Sequence, residues 1–296
     1  MDRLIGVLLV ALSALCFGMN PIFARLAYAD GANPETYLFI RYVIASALLV
    51  TIAAAKQLKY PKGRPLFLLI VMGAVGVGGS TFCYFTALTL APVSLVVVIT
   101  YIYPALVSLF SAIFFKERIT STQIAGLLLT FSGVLFVSAP FSGGQLPGIV
   151  LSVVTAVIYA LYLVLGSAAI HKSGSLAVST VTVVSSAPVY GILMALQGVK
   201  LPSGLTGWSA TVASALLSTV FAVLCLFGGL KRIETANAAV IATFEVVVSI
   251  ALSVIILKET VTWTKIMGAG LIIFVVIFLA RSEYRLSRIN WVKKEL

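Results

Sequence analysis

The chain has 296 residues, of which 61% are hydrophobic and 10% charged, and it carries a formal net charge of +11. Such a composition cannot cover a folded surface with polar groups in water, so a soluble globular domain and a disordered chain are both excluded and a membrane protein is left. The basic excess, 20 Lys+Arg against 9 Asp+Glu, raises nucleic-acid binding only until the positions of the charges are read.

A helix crosses the hydrocarbon core with about 20 apolar residues. Ten such segments are expected, at 4–28, 36–55, 66–89, 93–115, 120–139, 148–170, 176–197, 208–230, 235–257 and 262–281. The first is uncharged from Leu4 to Ala24 and has no small-residue cleavage site before a soluble domain, so it reads as a spanning helix and not a removed leader. Residues 65–115 and 119–170 carry no charge and are too long for one crossing each. They are expected to turn at Leu90-Ala91-Pro92-Val93 and at Ala139-Pro140-Phe141-Ser142-Gly143-Gly144, where Pro and Gly supply the bend. A β-barrel would show short alternating stretches instead of continuous apolar runs.

Ten spans put both termini and the turns after the even-numbered segments on one side. That side holds fifteen of the 20 Lys and Arg, among them Lys56, Lys59, Lys62, Arg64, Lys172, Lys231 and Arg232. Basic loops are retained in the cytoplasm, so both termini are expected there. The charge is thus a topology signal first, with anionic-lipid contact by the basic tail around Trp291 as a secondary use, and no nucleic-acid partner is expected.

Enzyme readings find little to work with. Cys16, Cys83 and Cys225 sit in apolar runs without metal-ligand spacing, the one histidine is His171, and the two aspartates, Asp2 and Asp30, lie outside the spans. No Gly-Lys dipeptide provides a phosphate-binding loop. Neither a metal nor a cofactor is expected, and the driving energy would come from a solute or ion gradient.

A shift of 142 residues aligns the chain on itself without a gap: Lys116-Glu117 meets Lys258-Glu259, Thr120 meets Thr262, Gly126 meets Gly268, Cys83 meets Cys225 and Gly6 meets Gly148. Each half holds five segments, an odd number, so the second enters the membrane from the opposite side. The expectation is an all-α membrane protein of two inverted five-helix repeats, residues 1–141 and 142–282, with a basic cytoplasmic tail at 283–296. Inverted halves provide a route to alternating access around a midplane site, although some channels share the device.

Several motifs follow one family's order. Phe17-Gly18-Met19-Asn20 with Arg25 opens the first segment, Phe39-Ile40-Arg41-Tyr42 with Ala45 marks the second, and Ala87-Leu88, Pro104, Lys116-Glu117-Arg118-Ile119-Thr120, Gly126 and Gly133 follow. Glu245, Glu259 and Gly268 echo them in the second half. The chain resembles the EamA branch of the drug/metabolite transporter superfamily, with two EamA repeats. It departs from the pattern in splitting the Glu-Pro pair of the fourth helix into Tyr103-Pro104 and Glu245-Val246, and in having Val183 opposite Arg41. The resemblance implies a secondary transporter of the cell membrane that exports amino acids or related metabolites. Another solute (nucleoside, polyamine or xenobiotic), a passive channel and a lipid-carrier flippase are the alternatives. The partners expected are a small-molecule solute and membrane lipids, with the protein a monomer or homodimer.

Helical spacing places Ser13, Phe17, Asn20 and Ala24 on one face of the first segment and Thr155, Tyr159, Tyr162 and Gly166 on the equivalent face of the sixth. Gly73, Gly76, Ser80, Tyr84 and Ala87 align on the third, Ala215, Ser218, Ala222, Leu226 and Gly229 on the eighth, and Ser94, Tyr101 and Ser108 with Tyr103 on the fourth. Asn20, Tyr84, Tyr101, Tyr103, Tyr159, Tyr162 and Glu245 are the candidate solute-binding residues, rings and hydroxyls suiting an amphipathic solute. Small and hydroxylated residues also let membrane helices approach closely, which is the alternative for each. Glu245, mid-span, either meets a cationic group, carries a proton or is a carboxylate hydrogen-bonded between helices. Arg41 either attracts a carboxylate or has a snorkelling or carbonyl-satisfying role. Glu117 and Glu259 read as caps or end-of-helix ion pairs, and Pro104, Gly76 and Gly79 are candidate hinges.

Overall fold

The structure is a computed structural model that describes residues 2–91, 96, 99–115, 120–138, 146–257, 262–264, 266–275 and 277–278. Among these every regular element is helical. The first segment is two helices, Asp2–Gly18 and Asn20–Ala29, parted at Met19. Pro21 lacks the N–H that would continue the ladder across that point. The second, Pro34–Ala55, begins where the Asn33 side chain accepts from the Thr36 N–H at 3.3 Å and Pro34 sits in the first turn.

The third segment runs as Arg64–Val71, a π-helical stretch Met72–Gly79, and Ser80–Leu90. The fourth and fifth contain Tyr103–Phe115 and Ser121–Ser138, the latter opened by a reciprocal box in which the Thr120 N–H donates to Gln123 Oε1 (2.9 Å) and the Gln123 N–H to Thr120 Oγ1 (3.2 Å). Leu146–Ser173 and Ser175–Gln197, the sixth and seventh, reverse direction on Gly174 alone, whose φ of +78° favours a residue without Cβ. The eighth repeats the third's form as Leu205–Ala215, a π-helical stretch Leu216–Phe221, and Ala222–Leu230. The ninth is Thr235–Ala242 and Phe244–Leu257, and the tenth contains Ile266–Val275.

Seven of these rods are long and apolar enough to cross a membrane: 2–29, 34–55, 64–84, 146–173, 175–197, 205–230 and 235–256. Tyr103–Phe115, Gln123–Phe136 and Ile266–Val275 are shorter apolar helices lying within expected segments. Lys116-Glu117-Arg118-Ile119, Lys258-Glu259, Ser94, the turns at Pro92-Val93 and 139–144, and the tail with Trp291 lie outside the described residues. Leu8, Phe67, Ile113, Leu128 and Leu196 are exposed, an apolar exterior suited to lipid.

Packing between the halves follows the 142-residue offset. The second segment packs on the seventh, the fourth on the ninth, the first on the eighth as the third on the sixth, and the first on the ninth as the fourth on the sixth. Exchanging the halves leaves this scheme unchanged. The agreement extends to atoms: a Cβ on Gly6 would meet Arg232 Cβ and Ile233 Cγ2 at 2.8 Å, and one on Gly148 would meet Ala91 Cβ at 2.8 Å and Leu90 at 3.1 Å, each number displaced by 142. Ser13 Oγ donates to the Ala222 carbonyl at 2.8 Å, and its equivalent Thr155 Oγ1 to the Ser80 carbonyl at 3.3 Å. The two π-helical stretches also occupy equivalent positions, which the sequence reading as plain α-helix did not foresee.

The tie at Asp30 has no equivalent. Asp30 Oδ2, from the loop between the first two segments, accepts from the Gly204 and Gly207 N–H groups at 2.8 and 2.9 Å, at the start of Leu205–Ala215. A carboxylate there satisfies donors that the helix leaves unpaired and meets the positive end of its dipole.

Candidate functional site

The fourth and ninth segments are interrupted at equivalent places. Tyr101 and Ile102 form a turn before Tyr103–Phe115, with the Ala105 and Leu106 N–H groups both donating to the Ile102 carbonyl. Pro104 therefore lies in the first turn of a new helix; the bend expected at it is a break two residues earlier. In the ninth segment Thr243, the residue 142 beyond Tyr101, is the break, its Oγ1 donating back to the Val240 carbonyl at 2.6 Å. Glu245 follows in the first turn of Phe244–Leu257, where a carboxylate favours the helix dipole.

At these breaks the two halves meet in a polar and aromatic cluster. The Tyr101 hydroxyl donates to Glu245 Oε1 at 2.7 Å. The Tyr101 ring lies 5.8 Å from that of Tyr103, Tyr103 meets Tyr159 edge-on at 4.9 Å, and Tyr159 stacks on Tyr162 at 6.0 Å, which ends the ladder against Phe227 at 5.7 Å. Tyr103 and Tyr162 are buried, and Tyr101, Tyr159 and Glu245 partly so. The ladder runs from the fourth segment across the sixth to the eighth. Tyr84, partly buried, lies within electrostatic reach of Glu245 and Tyr101 and packs beside Ala87. Five of the seven expected residues are thus joined by direct contacts, and Tyr84 borders them.

Gly76 lies in the first π-helical stretch, where a Cβ would stand 3.0 Å from Tyr162 Cδ2, so glycine is what allows this ring to lie against the backbone. Gly79 is in the same stretch, but a Cβ there would meet only Val75 at 3.7 Å. A π-helical turn widens the ladder and gives the segment a place to change register. Gly73 is pressed against Thr182 and Ser185 of the seventh segment.

Asn20, the seventh expected residue, belongs to a different network. Arg41, 4% exposed, donates from Nε to Thr219 Oγ1 (2.7 Å), from Nη1 to Asn20 Oδ1 (2.7 Å) and from Nη2 to the Ser218 carbonyl (2.8 Å). Its guanidinium also lies 5.5 Å from the Tyr42 ring centroid. Tyr37 donates to Ser214 Oγ at 2.7 Å and lies 3.2 Å from Asn20 Oδ1, while Ser214 donates to the same oxygen at 3.1 Å. Arg41 therefore satisfies a carbonyl, as one expectation had it, but it does not snorkel. Thr219, which accepts from Arg41, and Ser214 and Tyr37, which join it at Asn20, were not singled out in the sequence; only the Tyr37–Arg41 spacing of one helical turn hinted at a shared face.

A cavity of about 500 Å³ lies between the second, third and seventh segments, lined by Tyr28, Glu35, Thr81, Phe82, Tyr190 and Gln197 among others. Tyr28 is on its wall, and the buried hydroxyl of that residue has no hydrogen-bond partner among the described residues. It does not include the tyrosine ladder. Among the described residues no three His, Cys, Asp or Glu side chains approach closely enough to hold a metal ion.

Comparison with known proteins gives a consistent answer. The sequence model of the EamA-like transporter family matches residues 4–139 and again 146–281. An uncharacterized transporter of Archaeoglobus fulgidus is 28% identical over 256 residues, covering 85% of this chain and 90% of its own. An aromatic amino acid exporter of Ancylobacter novellus, YddG, is 30% identical over 162 residues, 51% of this chain and 56% of its own. One solved crystal structure superposes with a TM-score of 0.81 at 21% identity, covering 95% of this chain and 98% of the other, which shows the shared fold.

Proposed function

The chain belongs to the EamA-like transporter family, a multi-pass protein of the cell membrane, and from that premise we propose that it is a secondary carrier of amino acids or closely related metabolites, working outward by alternating access. In this reading ten spans form two inverted repeats, 1–141 and 142–282, with both termini and the tail at 283–296 in the cytoplasm. The residues exchanging between inward and outward access are those at the equivalent breaks of the fourth and ninth segments. One observation carries the reading: the Glu245 carboxylate, held by Tyr101, stands at the end of a tyrosine ladder where the two repeats meet. A carboxylate suits an ammonium group, and the rings suit an apolar or aromatic side chain.

Support for the solute class comes from the YddG relative, whose name gives aromatic amino acids as its cargo and whose match covers about half of each chain. Pro104 and the π-helical stretch with Gly76 and Gly79 supply the points about which the repeats rearrange. No step requires a cofactor, and the protein is read as a carrier without enzymatic activity.

The test is a thermal-stability panel of amino acids, nucleosides, polyamines and drugs on the detergent-purified protein and on Glu245→Gln. The reading expects stabilisation by amino acids, strongest for aromatic ones, and its loss in Glu245→Gln. Stabilisation by a polyamine or nucleoside alone would replace the solute. Amino-acid stabilisation equal in both proteins would remove Glu245 from the site.

A further inference from the structure

Arg41 is a cation buried inside a spanning segment, and its three hydrogen bonds all go to neutral oxygens. Among the described residues no carboxylate pairs with it. A buried charge without a counter-ion is costly in a membrane and is retained where an ion or solute passes. Its partners are also unusual. Arg41 Nη1, Tyr37 Oη and Ser214 Oγ all lie within 3.2 Å of one atom, Asn20 Oδ1. The Tyr37 proton goes to Ser214, so Arg41 and Ser214 fill the two lone pairs of that oxygen and Tyr37 stands behind them. A carboxylate oxygen in that place would accept the same two bonds and would also neutralise the Arg41 charge, which the amide does not.

The remaining acceptors, the Ser218 carbonyl and Thr219 Oγ1, lie in the second π-helical stretch, where the wider turn permits a local change of register. The network joins the first repeat, through Asn20, Tyr37 and Arg41, to the second through Ser214, Ser218 and Thr219. It also adjoins the cavity. Tyr28 on the cavity wall meets Tyr37 edge-on at 5.6 Å, and Tyr190 on the same wall lies 4.8 Å from Tyr42, whose ring faces the Arg41 guanidinium. Two rings in series, Tyr190 and Tyr42, connect the wall of a space of about 500 Å³ to an unneutralised cation. That volume holds a small solute.

We propose that Arg41 binds the carboxylate of the solute, and that in this conformation Asn20 Oδ1 occupies the place of a carboxylate oxygen. When Asn20 swings away, the carboxylate accepts from Arg41 in a bidentate pair, with Ser214 as a further donor and Tyr37 behind it. The proposal deepens the carrier reading and rests on it only for there being a transported solute. It makes the solute an organic acid or a zwitterion, not a simple amine.

The experiment measures binding of three probes, phenylalanine, phenylalaninamide and phenylacetate, to purified full-length protein by calorimetry. Phenylalanine and phenylacetate are expected to bind, and phenylalaninamide at least about tenfold more weakly, the loss expected for a charge-assisted hydrogen bond. Arg41→Gln should weaken phenylacetate binding by about tenfold or more. Asn20→Ala should tighten it several-fold, because the internal competitor is gone. A merely structural role for the network predicts the opposite for Asn20→Ala, which also serves if Arg41→Gln does not fold.

Wild-type phenylacetate affinity in folded Arg41→Gln, weaker binding in Asn20→Ala, or no carboxylate binding to either wild type or Asn20→Ala would each overturn the proposal. The two readings separate cleanly. Arg41-dependent phenylacetate binding without amino-acid transport by vesicles keeps the carboxylate site and removes the amino-acid carrier. Phenylalanine transport that is indifferent to Arg41→Gln does the reverse.

Discussion

Replacing Tyr101 by Phe removes one oxygen from the candidate site and leaves the ring. The hydroxyl lies 2.7 Å from Glu245 Oε1 and is the hydrogen bond that joins the two halves at their equivalent breaks. Hydrogen bonds to a charged partner contribute about 1.5–3 kcal/mol, which at 1.36 kcal/mol per factor of ten is roughly 10- to 150-fold. The ring stays packed beside Tyr103 at 5.8 Å, so little of the loss comes from packing. Tyr103→Phe provides the internal comparison, because its hydroxyl reaches only the neutral Ala239 carbonyl at 3.4 Å. That long, neutral contact is worth about 0.5–1.5 kcal/mol at most, a change of roughly tenfold or less. The assay is solute-concentration dependence of counterflow in reconstituted vesicles. Tyr101→Phe should raise the half-saturating concentration by at least about tenfold, and Tyr103→Phe by much less. Equal effects for the two variants, or wild-type affinity in Tyr101→Phe, would refute the view that Tyr101 holds Glu245 in place.

Glu245→Gln is expected to abolish the pH dependence of transport if the carboxylate carries a proton; pH dependence that survives unchanged in vesicles rules that role out. A methyl group on Gly6 or Gly148 would press on backbone-anchored neighbours at 2.8 Å, an overpacking that costs about 1–3 kcal/mol. Gly6→Ala should raise hydrogen exchange where the first and eighth segments meet, and Gly148→Ala where the third and sixth meet; one common pattern for both would contradict the two-fold packing. Asp30→Ala removes the acceptor for two N–H groups at the start of Leu205–Ala215 and should cost about 0.5–2 kcal/mol of stability in thermal unfolding, with Asp30→Asn losing less. Pro104→Ala restores an N–H in the first turn after the break in the fourth segment, and full transport by this variant would remove Pro104 as a hinge.

The repeat was legible because duplication leaves identities at a fixed offset, and Gly6 with Gly148 shows how far the offset reaches: the two glycines meet equivalent residues. The tyrosines on the fourth and sixth segments were found by helical spacing, which holds as long as each segment is a regular α-helix. That condition fails in two places. At Met72–Gly79 and Leu216–Phe221 the π-helical turns shift the face presented by everything beyond them. At Tyr101-Ile102 and Thr243 the helix restarts, so the expected stripe through Tyr101 and Ser108 is not continuous. The offset paired Glu245 with Tyr103, whereas its bond is to Tyr101. Residues related by a two-fold need not touch, and contact depends on where the axis passes, which no offset encodes. The Arg41 network was hidden for a like reason, since it gathers side chains from the first, second and eighth segments.

The central claim is a carrier whose solute is held at the junction of two exchangeable halves, and counterflow tests it most directly. Vesicles containing the purified protein are loaded with unlabelled phenylalanine and diluted into a trace of labelled phenylalanine. The account predicts a transient, saturable uptake above equilibrium that internal solute accelerates and that Glu245→Gln and Tyr101→Phe weaken. Uptake that rises linearly with concentration, shows no acceleration and is unchanged in both variants would contradict it and indicate a passive pore.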